Sequence, residues 1–165
     1  MTTLWGIEFL SALAFGLAAS LVPVFNPEAF IVATLATELI DPLSLGLGLG
    51  LGQGIGKAVL FQLVRQGKKL VVVKPPTPSE TPRGKWRRRW QKLVEKSESA
   101  LTNKRLGPVI IFSAGAISLP PNYVTTLIAG GLKVKFSIFS IAMTVGFVAR
   151  NLVEALLVAQ IIDLF

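Results

Sequence analysis

The chain alternates between long apolar stretches and short polar segments, with one extended polar segment in its middle. The four apolar stretches are residues 9–40, 43–64, 106–132 and 136–162. A membrane span needs about 20 apolar residues to cross a hydrocarbon core of about 30 Å. Residues 43–64 and 136–162 meet that length, so each is predicted to be a transmembrane helix.

Of the other two stretches, residues 9–40 are too long for one crossing and too short for two with a turn, and prolines interrupt both stretches. The interruptions are Pro23, Asn26, Pro27 and Glu28 in the first stretch and Pro120, Pro121 and Asn122 in the second. Prolines free backbone carbonyl groups, which must then be buried in protein or face a wet cavity. Each stretch is therefore predicted to be a re-entrant hairpin that enters the membrane about halfway and leaves on the side it entered.

The order hairpin, span, hairpin, span predicts an all-α integral membrane protein with one membrane domain, residues 1–165. Its two halves have opposite membrane sense and so form an inverted repeat, which is typical of secondary transporters. From Lys57 to Arg105 there are fourteen basic and three acidic residues. Because Lys and Arg beside a span resist translocation, the loop at 65–105 is predicted to be cytoplasmic. Both termini are then outside, and the plasma (inner) membrane is the expected location.

The basic loop contains a proline-rich linker at 75–82 and, after it, an amphipathic pattern. A helix is predicted over 85–104, and the residues expected at the membrane surface are Trp86, Arg87, Arg88, Arg89 and Trp90. Attachment to an anionic inner leaflet is expected, with about 1 kcal/mol from each basic residue near the surface. A connector helix packed on the protein is the alternative.

Composition agrees with the membrane class and excludes several chemistries. Hydrophobic residues make up 52% of the chain, and the mean hydropathy is +0.62. The net charge of +8 is confined to one block between apolar stretches, which does not favour a nucleic-acid partner. The chain has no Cys and no His, so disulfides, thiolate catalysis and the usual zinc ligands are excluded. We expect no metal, no cofactor and, without a nucleophile and base pair, no enzyme.

Glycine occupies every second position from Gly46 to Gly56. A phosphate-binding loop ending at Gly56 and Lys57 would need glycine at position 51 and Ser or Thr at position 58, and Leu51 and Ala58 stand there. On a helix, the alternate glycines form two smooth faces that permit close packing. The residues expected to do so are Gly48, Gly50, Gly52, Gly54 and Gly56, and such faces also leave a homodimer open.

Ionisable residues at membrane depth are costly and indicate functional sites. Glu28 at the first tip is a candidate for proton titration or headgroup contact, or else a structural partner of Lys57 or Arg150. Arg150 either pairs with Glu154, one helical turn away, or reaches a central cavity and holds a phosphate or Glu28. Lys57 is a further candidate, although it could snorkel toward the basic loop.

The two tips supply the remaining candidates for binding a substrate or ion. These are Asn26, Pro27, Asn122 and Tyr123. Capping of the freed backbone is the alternative role for Asn26 and Asn122.

These segments resemble the DedA superfamily, also called the VTT or SNARE-associated Golgi protein domain, and most closely its short YqaA-like branch. Residues 21–28, LVPVFNPE, are similar to the family's first hairpin tip, and residues 52–56, GQGIG, to the glycine-rich helix after it. Residues 120–123, PPNY, followed by Ala129, Gly130, Phe136 and Arg150, are similar to the second tip and its helix.

The resemblance implies opposed re-entrant hairpins and a transporter or scramblase for polyprenyl phosphate or phospholipid, with membrane lipids as partners, anionic or phosphate-bearing. Glu28 matches the family's first-hairpin acid. Charged residues often precede the second tip in the family, whereas residues 112–116, FSAGA, are uncharged here; Arg150 is the candidate replacement. The alternative function is a non-transporting membrane adaptor that acts through its basic helix.

Overall fold

The structure is a computed structural model that describes residues 2–22, 25–37, 40–67, 100–101, 103–132, 134–162 and 164. These segments are helical and contain no strand. The helices are α1 (Thr2–Leu21), α2 (Pro27–Ala36), α3 (Pro42–Arg65), α4 (Leu106–Ile117), α5 (Asn122–Gly131) and α6 (Phe136–Ile162). The predicted linker at 75–82 and the predicted surface residues 86–90 lie outside the described residues.

The long helices α3 and α6 match the two predicted spans to within one residue at each end. Both are long and apolar enough to cross a membrane, as judged by length and composition. Asp41 caps α3, because its carboxylate accepts hydrogen bonds from the backbone N–H groups of Leu43 and Ser44, each at 3.1 Å. Pro42 follows as the first helical residue, where its missing N–H costs nothing.

The first proline-containing stretch forms two helices, α1 and α2, joined by a turn. Asn26 caps α2, since its side-chain oxygen accepts from the backbone N–H groups of Glu28 at 2.9 Å and Ala29 at 3.3 Å. The predicted start of this stretch, residue 9, is wrong, because α1 already begins at Thr2. Residues 2–8 contain no proline, so the helix continues through polar Glu8 beyond the apolar run.

The second stretch, predicted as 106–132, forms α4 and α5. Helix α4 ends where Ser118 takes a left-handed conformation, with φ 55° and ψ 26°. Helix α5 begins at Asn122 with no side-chain cap, so the capping role considered for Asn122 is wrong. Pro121 occupies the cap position, and its side chain has no oxygen that could accept a hydrogen bond from the first backbone N–H groups of the helix.

The glycine run packs α3 against two neighbours at once. Gly46, Gly50 and Gly54 face Leu152, Val148 and Thr144 of α6, whereas Gly48, Gly52 and Gly56 face Ala12, Leu13 and Ser20 of α1. A methyl group at Gly50 would lie 2.5 Å from the α-carbon of Val148, and one at Gly52 would lie 2.1 Å from the Leu13 carbonyl oxygen. The backbones of α1 and α6 therefore approach α3 more closely than a residue larger than glycine would permit.

These contacts also give the helix directions. Helix α1 runs parallel to α3, and α6 runs antiparallel to it. Helix α4 runs parallel to α6, because Pro108 lies near Ile138 at their starts and Ser118 bonds Arg150 further along, with Gly115 and Gly146 at the contact between them. The shorter helices cross over, so that α2 packs on α6 and α5 packs on α3. Two apolar clusters result, one around Leu49 and the other around Phe61.

The predicted helix over 85–104 ends too late. Ala100 and Leu101 are helical, but residues 103–105 form a bend and a turn. The Asn103 side chain accepts from the backbone N–H groups of Arg105 at 2.9 Å and Leu106 at 3.3 Å, which redirects the chain into α4. Leu101 is buried in the cluster around Phe61, so this residue packs on the protein rather than on lipid.

The outer surface of the described helices is rich in large apolar side chains. They include Ile7, Leu10, Val109, Ile117, Ile141, Val153 and Leu157, each more than half exposed. A surface of this kind suits a lipid environment better than water. It agrees with the length and hydropathy of α3 and α6.

Candidate functional site

The turn between α1 and α2 and the turn between α4 and α5 meet beside the middle of the two long helices. The Tyr123 hydroxyl, just after the second turn, donates to the Ser20 carbonyl oxygen, just before the first, at 2.8 Å. On the other side, Arg150 contacts Ser118 of the second turn and Glu28 of the first. The two turns, called the tips below, are thus held together by side chains from α5 and α6.

Arg150 has three side-chain partners among the described residues. Its Nε donates to Glu154 Oε1 at 2.7 Å, its Nη1 donates to Ser118 Oγ at 2.8 Å, and its Nη2 donates to Glu28 Oε1. The two pairings considered for Arg150 therefore form together, one guanidinium bridging two carboxylates. The Arg150 side chain is 24% exposed and that of Glu28 60%, so the Glu28 end of the bridge is the accessible one.

Lys57 points into the protein at the level of the tips. It is only 2% exposed, its Nζ donates to the Ser20 carbonyl oxygen at 3.2 Å, and it lies 3.0 Å from the centre of the Tyr123 ring. The idea that Lys57 snorkels toward the basic loop is therefore wrong, because a carbonyl and an aromatic face stabilise its ammonium inside. Among the described residues, no carboxylate lies within ion-pair distance of it.

A buried polar network supports the tips from α3 and α6. The Ser20 hydroxyl donates to the Gln53 carbonyl oxygen at 3.0 Å, and Asn151 Nδ2 donates to Gln53 Oε1 at 3.1 Å and to the Phe147 carbonyl oxygen at 2.7 Å. Buried polar groups that are fully hydrogen-bonded rigidify their surroundings. The network therefore fixes the position of the first tip relative to the helical turn of α6 that carries Arg150.

Sequence reasoning missed four of these residues: Ser20, Gln53, Ser118 and Asn151. A signal exists for two of them. Gln53 is the one polar side chain inside the glycine run, and Asn151 is a polar residue next to Arg150 in an otherwise apolar span. Ser20 and Ser118 offer no such signal, because serine is common at helix ends.

A cavity of about 190 Å³ lies where the tips meet. Of the residues proposed from the sequence, it is lined by Pro27, Glu28, Lys57, Asn122, Tyr123 and Arg150. A groove of about 270 Å³ adjoins it between α2 and α6, with Glu154 and the apolar side chains of Ile31, Val32, Leu157 and Val158. Glu28 lines both spaces, so a polar cavity and an apolar groove share one carboxylate.

Comparison of the chain with protein-family models, with curated proteins and with solved structures finds no match. The chemistry of the site is therefore argued from its own side chains. They offer two cations, two carboxylates, a phenol and several amide or hydroxyl groups around the cavity and its groove. In the described segments, no three Asp, Glu, His or Cys side chains come together as a metal site. The arrangement suits an anionic group with an apolar part beside it.

Proposed function

We propose that this chain is a DedA-like membrane transporter or scramblase that moves a lipid or a polyprenyl phosphate across the bilayer. The observation that carries the proposal is the cavity between the two tips, which is lined by two cations and continues into an apolar groove. A phosphate-bearing headgroup fits the cations Lys57 and Arg150, and an acyl or prenyl tail fits the groove between α2 and α6.

The helix directions support an inverted repeat of two re-entrant units as the architecture behind this function. In each half, the first helix runs parallel to the last, long helix of its own half, and the second helix packs on the long helix of the other half. The long helices are antiparallel, so the halves have opposite sense. Broken helices that meet near the midplane of an inverted repeat form the binding sites of many transporters.

Charge supports an orientation with the α3 C-terminus in the cytoplasm. Glu8 and Asp41 lie together at one end of the helix bundle, where the Asp41 backbone N–H donates to Glu8 Oε2 at 3.3 Å. Arg65 and Lys135 lie at the opposite end of the bundle, where Arg65 donates to the Val134 carbonyl oxygen at 3.4 Å. We infer that the protein lies in the plasma membrane with its basic end on the cytoplasmic side, because positive charge beside a span favours that side.

The site lowers the barrier for an anion by replacing water with fixed cations. An ionised group transferred alone into hydrocarbon is prohibitively costly, so a phosphate crosses only where charge and hydrogen bonds are provided. Arg150 binds Glu28 and Glu154 in the resting state, and a phosphate competes with these carboxylates for the same guanidinium. Return of the carboxylates to Arg150 then displaces the phosphate and releases the lipid.

Translocation of labelled phosphatidylglycerol in proteoliposomes tests the proposal with the variants Arg150→Gln and Glu28→Gln. Arg150→Gln removes the charged donor to the phosphate, and such a bond is worth about 1.5–3 kcal/mol, so the rate is expected to fall about tenfold to a hundredfold. Glu28→Gln removes the accessible carboxylate that displaces the anion, so turnover also falls.

Glu8→Gln is the matched control, because it removes one carboxylate at the acidic end of the bundle and is expected to translocate at the wild-type rate. Equal elution of all three variants in size-exclusion chromatography shows that they fold. Wild-type rates in both Arg150→Gln and Glu28→Gln would exclude this site as the path of the lipid.

A further inference from the structure

A second cavity lies away from the tips, at the basic end of the helix bundle. Its volume is about 360 Å³, and Lys104 and Lys135 line it together with Leu101, Pro108, Leu132 and Ile138. Lys104 belongs to the turn before α4, and Lys135 immediately precedes α6. The cavity is therefore formed where the second half of the chain begins and where its last helix starts, next to the predicted cytoplasmic surface.

The lining of this cavity divides into a charged part and an apolar part. Both lysines are exposed, and none of the described residues that line the cavity is acidic. Leu101 is buried at its base, while Ile138 is 37% exposed at its edge. Two ammonium groups beside an apolar trough match a molecule with an anionic head and a hydrocarbon chain.

The backbone around Lys104 is held in place by the fold. The Asn103 side chain accepts from the N–H groups of Arg105 and Leu106, and the Gly107 N–H donates to the Asn103 carbonyl oxygen at 2.8 Å. A methyl group at Gly107 would lie 2.6 Å from the Leu101 carbonyl oxygen, so the turn packs closely on the base of the cavity. Lys104 therefore lies on a turn that hydrogen bonds hold in place, because the backbone N–H groups of Arg105 and Leu106 already have an acceptor.

We propose that this cavity binds an anionic phospholipid of the inner leaflet, with the phosphate between Lys104 and Lys135 and one acyl chain along Leu132 and Ile138. The charge of the cavity selects this occupant over the chain's own segment at 68–99. That segment contains ten basic and three acidic residues, so its net charge has the same sign as that of the two lysines. The bound lipid fastens the turn before α4 to the start of α6, independently of any transport at the tips.

Native mass spectrometry of the full chain in neutral detergent tests the proposal, with dioleoyl-phosphatidylglycerol and dioleoyl-phosphatidylcholine added at equal concentration. We expect the protein to retain phosphatidylglycerol and little phosphatidylcholine. Lys104→Gln is expected to lower the affinity for phosphatidylglycerol about fivefold, since one lysine near an anionic lipid contributes about 1 kcal/mol.

Arg105→Gln is the matched control, because Arg105 is the exposed neighbour of Lys104, carries the same charge and does not line the cavity. It is expected to retain the lipid as the wild type does. Ile138→Trp fills the apolar trough while both lysines remain, and it is expected to release the diacyl lipid. Equal retention of the two lipids, or equal effects of Lys104→Gln and Arg105→Gln, would overturn the proposal.

Two further arms identify other occupants. If glycerol 1-phosphate binds as tightly as phosphatidylglycerol, the site recognises a free phosphate ester and the lipid proposal is wrong. If phosphatidylglycerol binds only after residues 68–99 are deleted, the chain's own segment fills the cavity and the proposal is again wrong. Binding of phosphatidylglycerol to the full chain supports the proposal if it is weakened about fivefold in Lys104→Gln, lost in Ile138→Trp and unchanged in Arg105→Gln.

Discussion

Replacement of Gly52 by alanine tests how closely the tips depend on the packing of α1 against α3. The added methyl carbon would lie 2.1 Å from the Leu13 carbonyl oxygen, whereas an ordinary contact is at least 3.4 Å. Helix α1 would have to move away by roughly 1 Å, and overpacking of this kind costs about 1–3 kcal/mol. Alanine gains about 1 kcal/mol of helix propensity over glycine, so the net expected loss of stability is up to about 2 kcal/mol.

The same displacement should reach the site, because α1 carries Ser20. Its carbonyl oxygen accepts from Lys57 at 3.2 Å and from Tyr123 at 2.8 Å, and a shift of about 1 Å exceeds what either bond tolerates. Gly52→Ala is therefore expected to lower both thermal stability and lipid translocation. A variant that loses thermal stability but not lipid translocation, or the reverse, would show that the packing and the site are not coupled.

Thermal unfolding in detergent, followed by circular dichroism, measures the effect against the control Gly6→Ala. Gly6 lies in α1 with nothing within 4 Å of an added methyl group, so alanine is expected to stabilise that helix slightly or leave it unchanged. A Gly52→Ala variant that melts at or above the wild-type temperature would refute the close approach of α1 to α3.

Two further predictions concern the buried lysine and the membrane orientation. Lys57→Met keeps most of the side-chain volume and removes a buried charge that has no carboxylate partner among the described residues. Stability in thermal unfolding should therefore stay equal or rise, while translocation of phosphatidylglycerol falls. Lower stability with intact translocation would assign Lys57 a purely structural role. Single cysteines at Thr37 and Lys135 are both exposed and lie at opposite ends of the bundle. A membrane-impermeant thiol reagent should react with the first from the outside and with the second from the inside. Reaction of both from one side would contradict the proposed orientation.

The parts of the fold that depend on the bilayer or on helix periodicity could be predicted from the sequence. The bounds of α3 and α6 follow from the length of the apolar runs, because hydrocarbon thickness sets that length. The break in each of the two proline-containing stretches follows from proline chemistry, and the two faces of the glycine run follow from a four-residue spacing on a helix. Where the apolar pattern ends, however, the helix need not end, and so α1 extends to Thr2.

Contacts between distant segments could not be predicted, because periodicity says which face a residue occupies and not which neighbour it meets. The Gln53 and Asn151 side chains bond across 98 positions, and Tyr123 reaches Ser20 across 103. The sequence leaves two opposite orientations open for Lys57, and the positions of the Ser20 carbonyl oxygen and the Tyr123 ring decide between them. The hydrogen bonds of the Asn103 side chain, which end the preceding helix, could likewise not be predicted from a pattern of apolar and basic residues.

Blocking the cavity between the tips is the most direct test of the claim that lipid crosses there. The chain has no cysteine, so Phe25→Cys places a single thiol at an exposed position that lines the cavity, and Ile141→Cys places one on the outer face of α6 as a control. Both variants are labelled to completion with a bulky maleimide before reconstitution, and the translocation of phosphatidylglycerol is measured. The account predicts that labelling stops translocation in Phe25→Cys and leaves it unchanged in Ile141→Cys. Continued translocation at the unlabelled rate in fully modified Phe25→Cys would contradict it.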